Sequence, residues 1–113
     1  MEPSSRVEIV QGTLDMLVLE VLKTEKLHGY AIREAITSRS ENFLHVEEGS
    51  LYPCLYRMER RGWITSESGR SENNRPARYY SITRTGREEL RRQHKSWEAS
   101  VEAVNMVFLQ KEK

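Results

Sequence analysis

Between Glu48 and Trp63 the chain reads EGSLYPCLYRMERRGW, and its hydroxyl and guanidinium side chains recur at helical spacing. Ser50, Pro53, Cys54, Arg57 and Arg61 fall at i, i+3, i+4, i+7 and i+11 and share a face, with Tyr52 and Tyr56 flanking it. Hydroxyl and guanidinium groups on the outside of a helix can donate to phosphate oxygens and to base edges in a major groove. On a merely solvated helix the same arginines would pair with Glu47, Glu48 and Glu59, and this stretch alone does not choose between the two uses. A second basic cluster follows: Arg70, Arg75 and Arg78 surround Asn73 and Asn74, with Glu72 alone opposing them. Arginine and asparagine at a loop tip suit a minor groove or its phosphates. Two basic elements, a helix and a loop, therefore favour double-stranded DNA as the partner.

Other chemistries find no pattern to carry them. His28, His45 and His94 are dispersed without metal-ligand spacing, and Cys54 is the only cysteine, so neither a metal site nor an intrachain disulfide is expected. Cys54 reads most simply as a small semi-buried residue, the alternative being an exposed redox thiol on the basic face. No glycine-rich phosphate loop, nucleophile elbow or triad pattern occurs, so the expectation is no catalytic residues, no cofactor and no enzyme.

The totals set the frame. At 113 residues, with 37% apolar and 31% charged, the chain fits one domain with one core and some charge left on a solvated helix. A formal net charge of +1 identifies no partner, which is why the clustering of charge matters more than its sum. A lone cysteine fits a reducing, cytoplasmic location, and no apolar run suggests a signal peptide or a membrane span.

The elements that must hold these clusters follow from periodicity. Leu14, Leu17, Val18, Val21 and Leu22 predict a helix over Thr13–Lys23, preceded by a frayed Met1–Val10. Lys26-Leu27-His28-Gly29 interrupts the pattern, and Tyr30, Ala31, Ile32, Ala35 and Ile36 predict a short second helix. A third helix begins near Gly49 or Ser50, with Pro53 in its first turn, Leu51, Leu55 and Met58 as the buried stripe, and Gly62 as the cap. Trp63-Ile64-Thr65 and Ala77 to Thr83 then suit two strands of a hairpin whose tip, Gly69 to Pro76, exceeds a two-residue turn. From Arg84 to Gln110 a long helix is expected, capped by Thr83 and about 40 Å in length.

Along that last helix Leu90, His94, Trp97, Val101, Val104 and Phe108 alternate at steps of four and three, a heptad-like seam that suits a partner helix and hence a homodimer. Trp97 is most simply an interface residue; the sharper reading makes it a flat wall for a small planar aromatic ligand between two subunits. The expected fold is mainly α with a small β-hairpin: a winged helix-turn-helix over residues 11–83 and a C-terminal dimerisation helix over 84–113. The other use of such a module is to bind an acidic protein through the same helix and wing, without sequence-specific DNA binding.

The segments QGTLDMLVLEVL, HGYAI, VEEGSLYPCLYRMERRGWI and SENNRPARYYSITRTGREEL resemble the PadR family of bacterial transcriptional regulators, particularly its short-tailed members. The resemblance spans Gln11 to beyond Trp97 and is most specific in GSLYP, RME, RGWI and ARYYSIT. It implies a homodimeric winged-helix repressor on an inverted-repeat operator, dimerised by the C-terminal helix with help from the first. By position it carries Ser50, Tyr52, Pro53, Tyr56 and Arg57 to the major groove and Asn74, Arg75 and Arg78 to the wing contact. It also implies that a planar aromatic effector would sit near Trp97.

Overall fold

The computed structural model describes residues 12–110, and the expectation for Met1–Val10 lies outside them. Among the described residues the chain runs α1 (Thr13–Val21), β1 (Leu27–His28), α2 (Gly29–Arg39), α3 (Glu48–Arg60), β2 (Ile64–Arg70), β3 (Pro76–Ile82) and α4 (Arg84–Leu109). The three strands form one antiparallel sheet in the order β1-β3-β2, with Ile64 opposite Ile82 and Arg70 opposite Pro76. This is a winged helix-turn-helix, with α2 and α3 as the helical pair and β2-β3 as the wing.

The core lies where the helices converge on the sheet. Val18, Leu19 and Leu22 from α1 and its end, Ile32 and Ile36 from α2, and Leu51, Leu55 and Met58 from α3 are buried together with Ile64, Tyr80 and Leu90. Each large apolar side chain among them contributes about 1.5–3 kcal/mol by leaving water. The predicted stripe on α3 is thus on the inside, and on α1 Val18, Val21 and Leu22 are buried while Leu14 and Leu17 are half-buried against the core, but two further residues depart from expectation. Tyr30 is 61% exposed, because it stands at the N-terminal end of α2 facing the wing. Cys54 is 1% exposed, so its reading as a small buried residue holds while its place on the outer face does not, because α1 packs over this side of α3.

The boundaries have local causes. Gly62 adopts φ +80°, and its N–H donates to the Glu59 carbonyl while that of Trp63 reaches back to Met58, closing α3 in a Schellman turn that favours glycine. Thr83 Oγ1 accepts from the Gly86 N–H at 2.9 Å, the cap expected for α4. α3 begins at Glu48, slightly earlier than expected, so Pro53 falls beyond the first turn. The missing N–H deprives the Gly49 carbonyl of its helical partner, a loss that solvent can offset at this exposed end.

β1 was not legible as a strand. Its two residues pair with Tyr79 and Tyr80 and add a third strand to the predicted hairpin. α4 is buried only at its root, at Gly86 and Leu90, and the remainder projects, giving the molecule a long axis of 63 Å against 35 and 22 Å for the others.

Candidate nucleic-acid interface

Ser50, Tyr52, Pro53, Tyr56 and Arg57 are all exposed on α3, as are Asn74, Arg75 and Arg78 on the wing. Packing of Leu51, Leu55 and Met58 into the core turns this side of α3 outward. The structure sorts these residues into two depressions. Tyr52, Arg75 and Arg78 line the first, a cleft of about 560 Å³ between the start of α2, α3 and the wing, together with His28, Tyr30 and Asn73. Pro53, Tyr56 and Arg57 line the second, of about 460 Å³, with Arg60 and Arg61. Ser50 and Asn74 line neither of the two.

Tyr52 crosses to the start of α2, where a Cβ on Gly29 would come within 2.3 Å of its hydroxyl. Gly29 therefore clears the space in which the phenol lies, half-exposed at the mouth of the cleft. Behind it His28 caps α2: its Nδ1 accepts from the Ala31 N–H at 3.2 Å. That acceptor role places the ring proton on Nε2, which faces a Glu72 carboxylate oxygen at 3.5 Å. With the pairing of His28 and Tyr79 in the sheet, this contact sets the wing beside the helical pair.

The wing is shaped by its own hydrogen bonds. Ser71 and Arg75 pair across a three-residue turn in which Asn74 takes the left-handed conformation, φ +59°, that asparagine tolerates better than most residues. Arg70 donates to the Asn74 carbonyl and braces that turn. Arg78 lies across β2, donating through Nε to Ser66 at 2.9 Å, and Ser66 in turn donates to Glu59 at 2.8 Å. The Arg78 guanidinium is thereby oriented before any ligand arrives.

On α3 the arginines do not pair with Glu47, Glu48 or Glu59. Arg57 Nη2 meets Asp15 Oδ1 of α1 at 3.1 Å, Arg60 lies over the Tyr56 ring and Arg61 over the Trp63 ring. The Cys54 thiol also donates to Asp15 Oδ1, at 3.1 Å. Burial first, then this carboxylate, push the thiol well above its ordinary range, so it stays protonated rather than acting as a redox thiolate.

Leu90 is buried against its own domain, whereas Trp97, Val101, Val104 and Phe108 of the seam are 46%, 37%, 53% and 80% exposed. His94 stacks parallel to Trp97, with ring centroids 6.4 Å apart. Trp97 also lines a groove of about 390 Å³ under α4 with Asp15, Arg61, Trp63 and Arg92. Among the described residues no His, Cys, Asp and Glu side chains cluster as a metal site requires, and no helix is long and apolar enough to cross a membrane.

His28, Gly29 and Tyr30 in the cleft, and the buried Asp15 that holds Arg57, are the residues that spacing alone missed. The available signals were a histidine and glycine at a helix start, and an acid set between the apolar Leu14 and Met16.

Residues 18–92 match the family model described as the transcriptional regulator PadR-like family. A transcriptional regulator from Clostridium thermocellum superposes with a TM-score of 0.80 at 26% identity, covering 90% of this chain and 98% of the other. A PadR family transcriptional regulator from Eggerthella lenta superposes with a TM-score of 0.77 at 29% identity, covering 89% and 86%. An uncharacterised protein from Lysinibacillus sphaericus is 29% identical over 105 residues, 93% of this chain and 95% of its own.

Proposed function

The chain belongs to the PadR-like family of transcriptional regulators, and from that premise we propose that it is a homodimeric repressor that binds a pseudo-palindromic operator in double-stranded DNA. The observation that carries this reading is the cleft in which Tyr52 of α3 meets Arg75 and Arg78 of the wing. A helix and a wing converging on one cationic surface suit a duplex, in which a major groove and the adjacent phosphates or minor groove run side by side.

In this reading Ser50, Tyr52, Pro53, Tyr56 and Arg57 face the major groove, and Asn74, Arg75 and Arg78 meet the backbone or minor groove beside it. Residues 11–83 form the DNA-binding domain and residues 84–113 the dimerisation segment, with α4 as its described helix. The exposed Trp97, Val101, Val104 and Phe108 support that division, because a row of large apolar side chains along a projecting helix calls for a covering partner. The two-fold axis of such a dimer sets the recognition helices about 34 Å apart, one turn of DNA. Release follows when a small planar aromatic effector beside Trp97 favours a different angle between the two long helices. The site of action is the cytoplasm.

The test is the salt dependence of binding to a mixed-sequence duplex. With about six to ten phosphate contacts, the slope of log K against log salt should approach −0.9 per contact, and Arg75→Ala should lower it by about one unit per chain. A protein-interaction module would bind the duplex weakly or without that slope, and such a result would remove the DNA reading.

A further inference from the structure

Asp15 is an acid inside a predominantly apolar core, 7% exposed in the first turn of α1, where the helix dipole favours an anion but does not by itself call for its burial. Its Oδ1 accepts two hydrogen bonds from α3, one from the Cys54 thiol and one from Arg57 Nη2, each at 3.1 Å. A buried carboxylate is costly to desolvate, and an apolar side chain of similar volume would serve stability as well or better. The thiol is a weak donor, so the partner that gives the acid its purpose is Arg57. The Arg57 side chain is 47% exposed: one of its donors is held by Asp15, while the side chain still lines the open depression with Pro53 and Tyr56.

Anchoring has two physical consequences. A long side chain loses much of its rotamer freedom before a ligand arrives, so less is lost on binding. The anion beneath also offsets the guanidinium charge, which weakens general attraction to phosphate but leaves the directional N–H groups intact. We propose that Asp15 is a positioning residue for sequence recognition: by holding the Arg57 guanidinium in one orientation, it makes Arg57 a discriminator between base sequences rather than a general phosphate contact. The inference rests on the DNA-binding reading above and assigns to Asp15 a role that depends on Arg57.

The probes are a duplex selected from random sequence by the wild-type protein and the same duplex with its half-sites scrambled. The quantity measured is the ratio of the two dissociation constants for wild type, Asp15→Asn, Arg57→Ala, Arg57→Lys and the Asp15→Asn/Arg57→Ala pair. Asp15→Asn is expected to lower the ratio about fivefold or more, the scale of one well-made base contact, without weakening binding to the scrambled duplex. Arg57→Lys, which keeps the charge but not the planar fork, should do the same. The double variant should lose no more than Arg57→Ala alone, since Asp15 acts through that residue.

Equal weakening on both duplexes, or additive losses in the double variant, would overturn the proposal and leave Asp15 a structural residue. Should Asp15→Asn not fold, Arg57→Lys decides: full retention of the ratio is then the contrary result. If Arg57→Ala leaves the ratio unchanged, the proposal falls while the DNA-binding reading stands. A wild-type protein that selects no sequence brings down both, and this is visible before any substitution is made.

Discussion

Cys54 and Arg57 both donate to the Asp15 carboxylate, and the pair of hydrogen bonds reaches from the core to the outer face of α3. A thiol so placed is shielded from reagents and disfavoured as a thiolate, so iodoacetamide should label Cys54 only after denaturation, as read by intact mass. Rapid labelling of the native protein would contradict its burial. Its raised pKa also has a definite sign for stability. The folded state favours the neutral thiol, so this contribution is complete below the ordinary value of 9.0 and is lost as pH climbs above it. Thermal melts at stepped alkaline pH should fall less steeply for Cys54→Ala than for the wild type. Periodicity put Cys54 on the outer face because it sees only α3; the burial comes from α1, 39 residues earlier in the chain. Asp15 was illegible for the same reason.

The root of α4 is set by two neighbours in sequence. A Cβ on Gly86 would lie 2.1 Å from the Trp63 carbonyl oxygen, so backbone must move to admit any side chain there. Gly86→Ala should cost about 1–3 kcal/mol in denaturant melts, the usual penalty of overpacking. Thr83→Ala removes the cap of α4 together with hydroxyl contacts to the Gly62 and Trp63 carbonyls, and should cost about 1–2 kcal/mol. Wild-type stability in either variant would mean that α4 is not anchored as described. Across the sheet, the Lys26 ammonium donates to Glu67 at 2.7 Å, and this hydrogen bond, then the charge of Lys26, hold the Glu67 carboxyl below its ordinary 4.5. Its small contribution is present above that value and is lost as pH falls beneath it, so Glu67→Gln should flatten the acid side of the stability profile slightly. Caps, turns and apolar stripes were readable because their causes lie within one or two helical turns: Gly62, Thr83, and the Leu51/Leu55/Met58 stripe. β1 was not, since two residues carry no period and become a strand only by meeting Tyr79 and Tyr80, more than fifty positions away.

At the scale of the molecule, the winged helix-turn-helix was legible from the order of its elements, and the basic residues on α3 and the wing from their clustering. The cleft that Tyr52 of α3 shares with Arg75 and Arg78 of the wing was not, because it depends on Gly29 making room for Tyr52 and on Leu27 and His28 pairing with β3. The projecting half of α4 leaves Val104 and Phe108 largely in solvent in a single chain. Val104→Asp with Phe108→Asp should therefore yield a folded monomer in sedimentation, whereas the wild type should sediment as a dimer whose melting temperature rises with concentration. A monomeric wild type would remove the geometry that places two recognition helices on one face of DNA.

The most direct test is selection from random duplex DNA by the purified protein at moderate salt, followed by sequencing of what is retained. A dimeric operator-binding regulator predicts an enriched inverted repeat with half-site centres about one helical turn apart, roughly 10 base pairs. Retained sequences no different from the starting pool, from a folded dimeric protein, would contradict it.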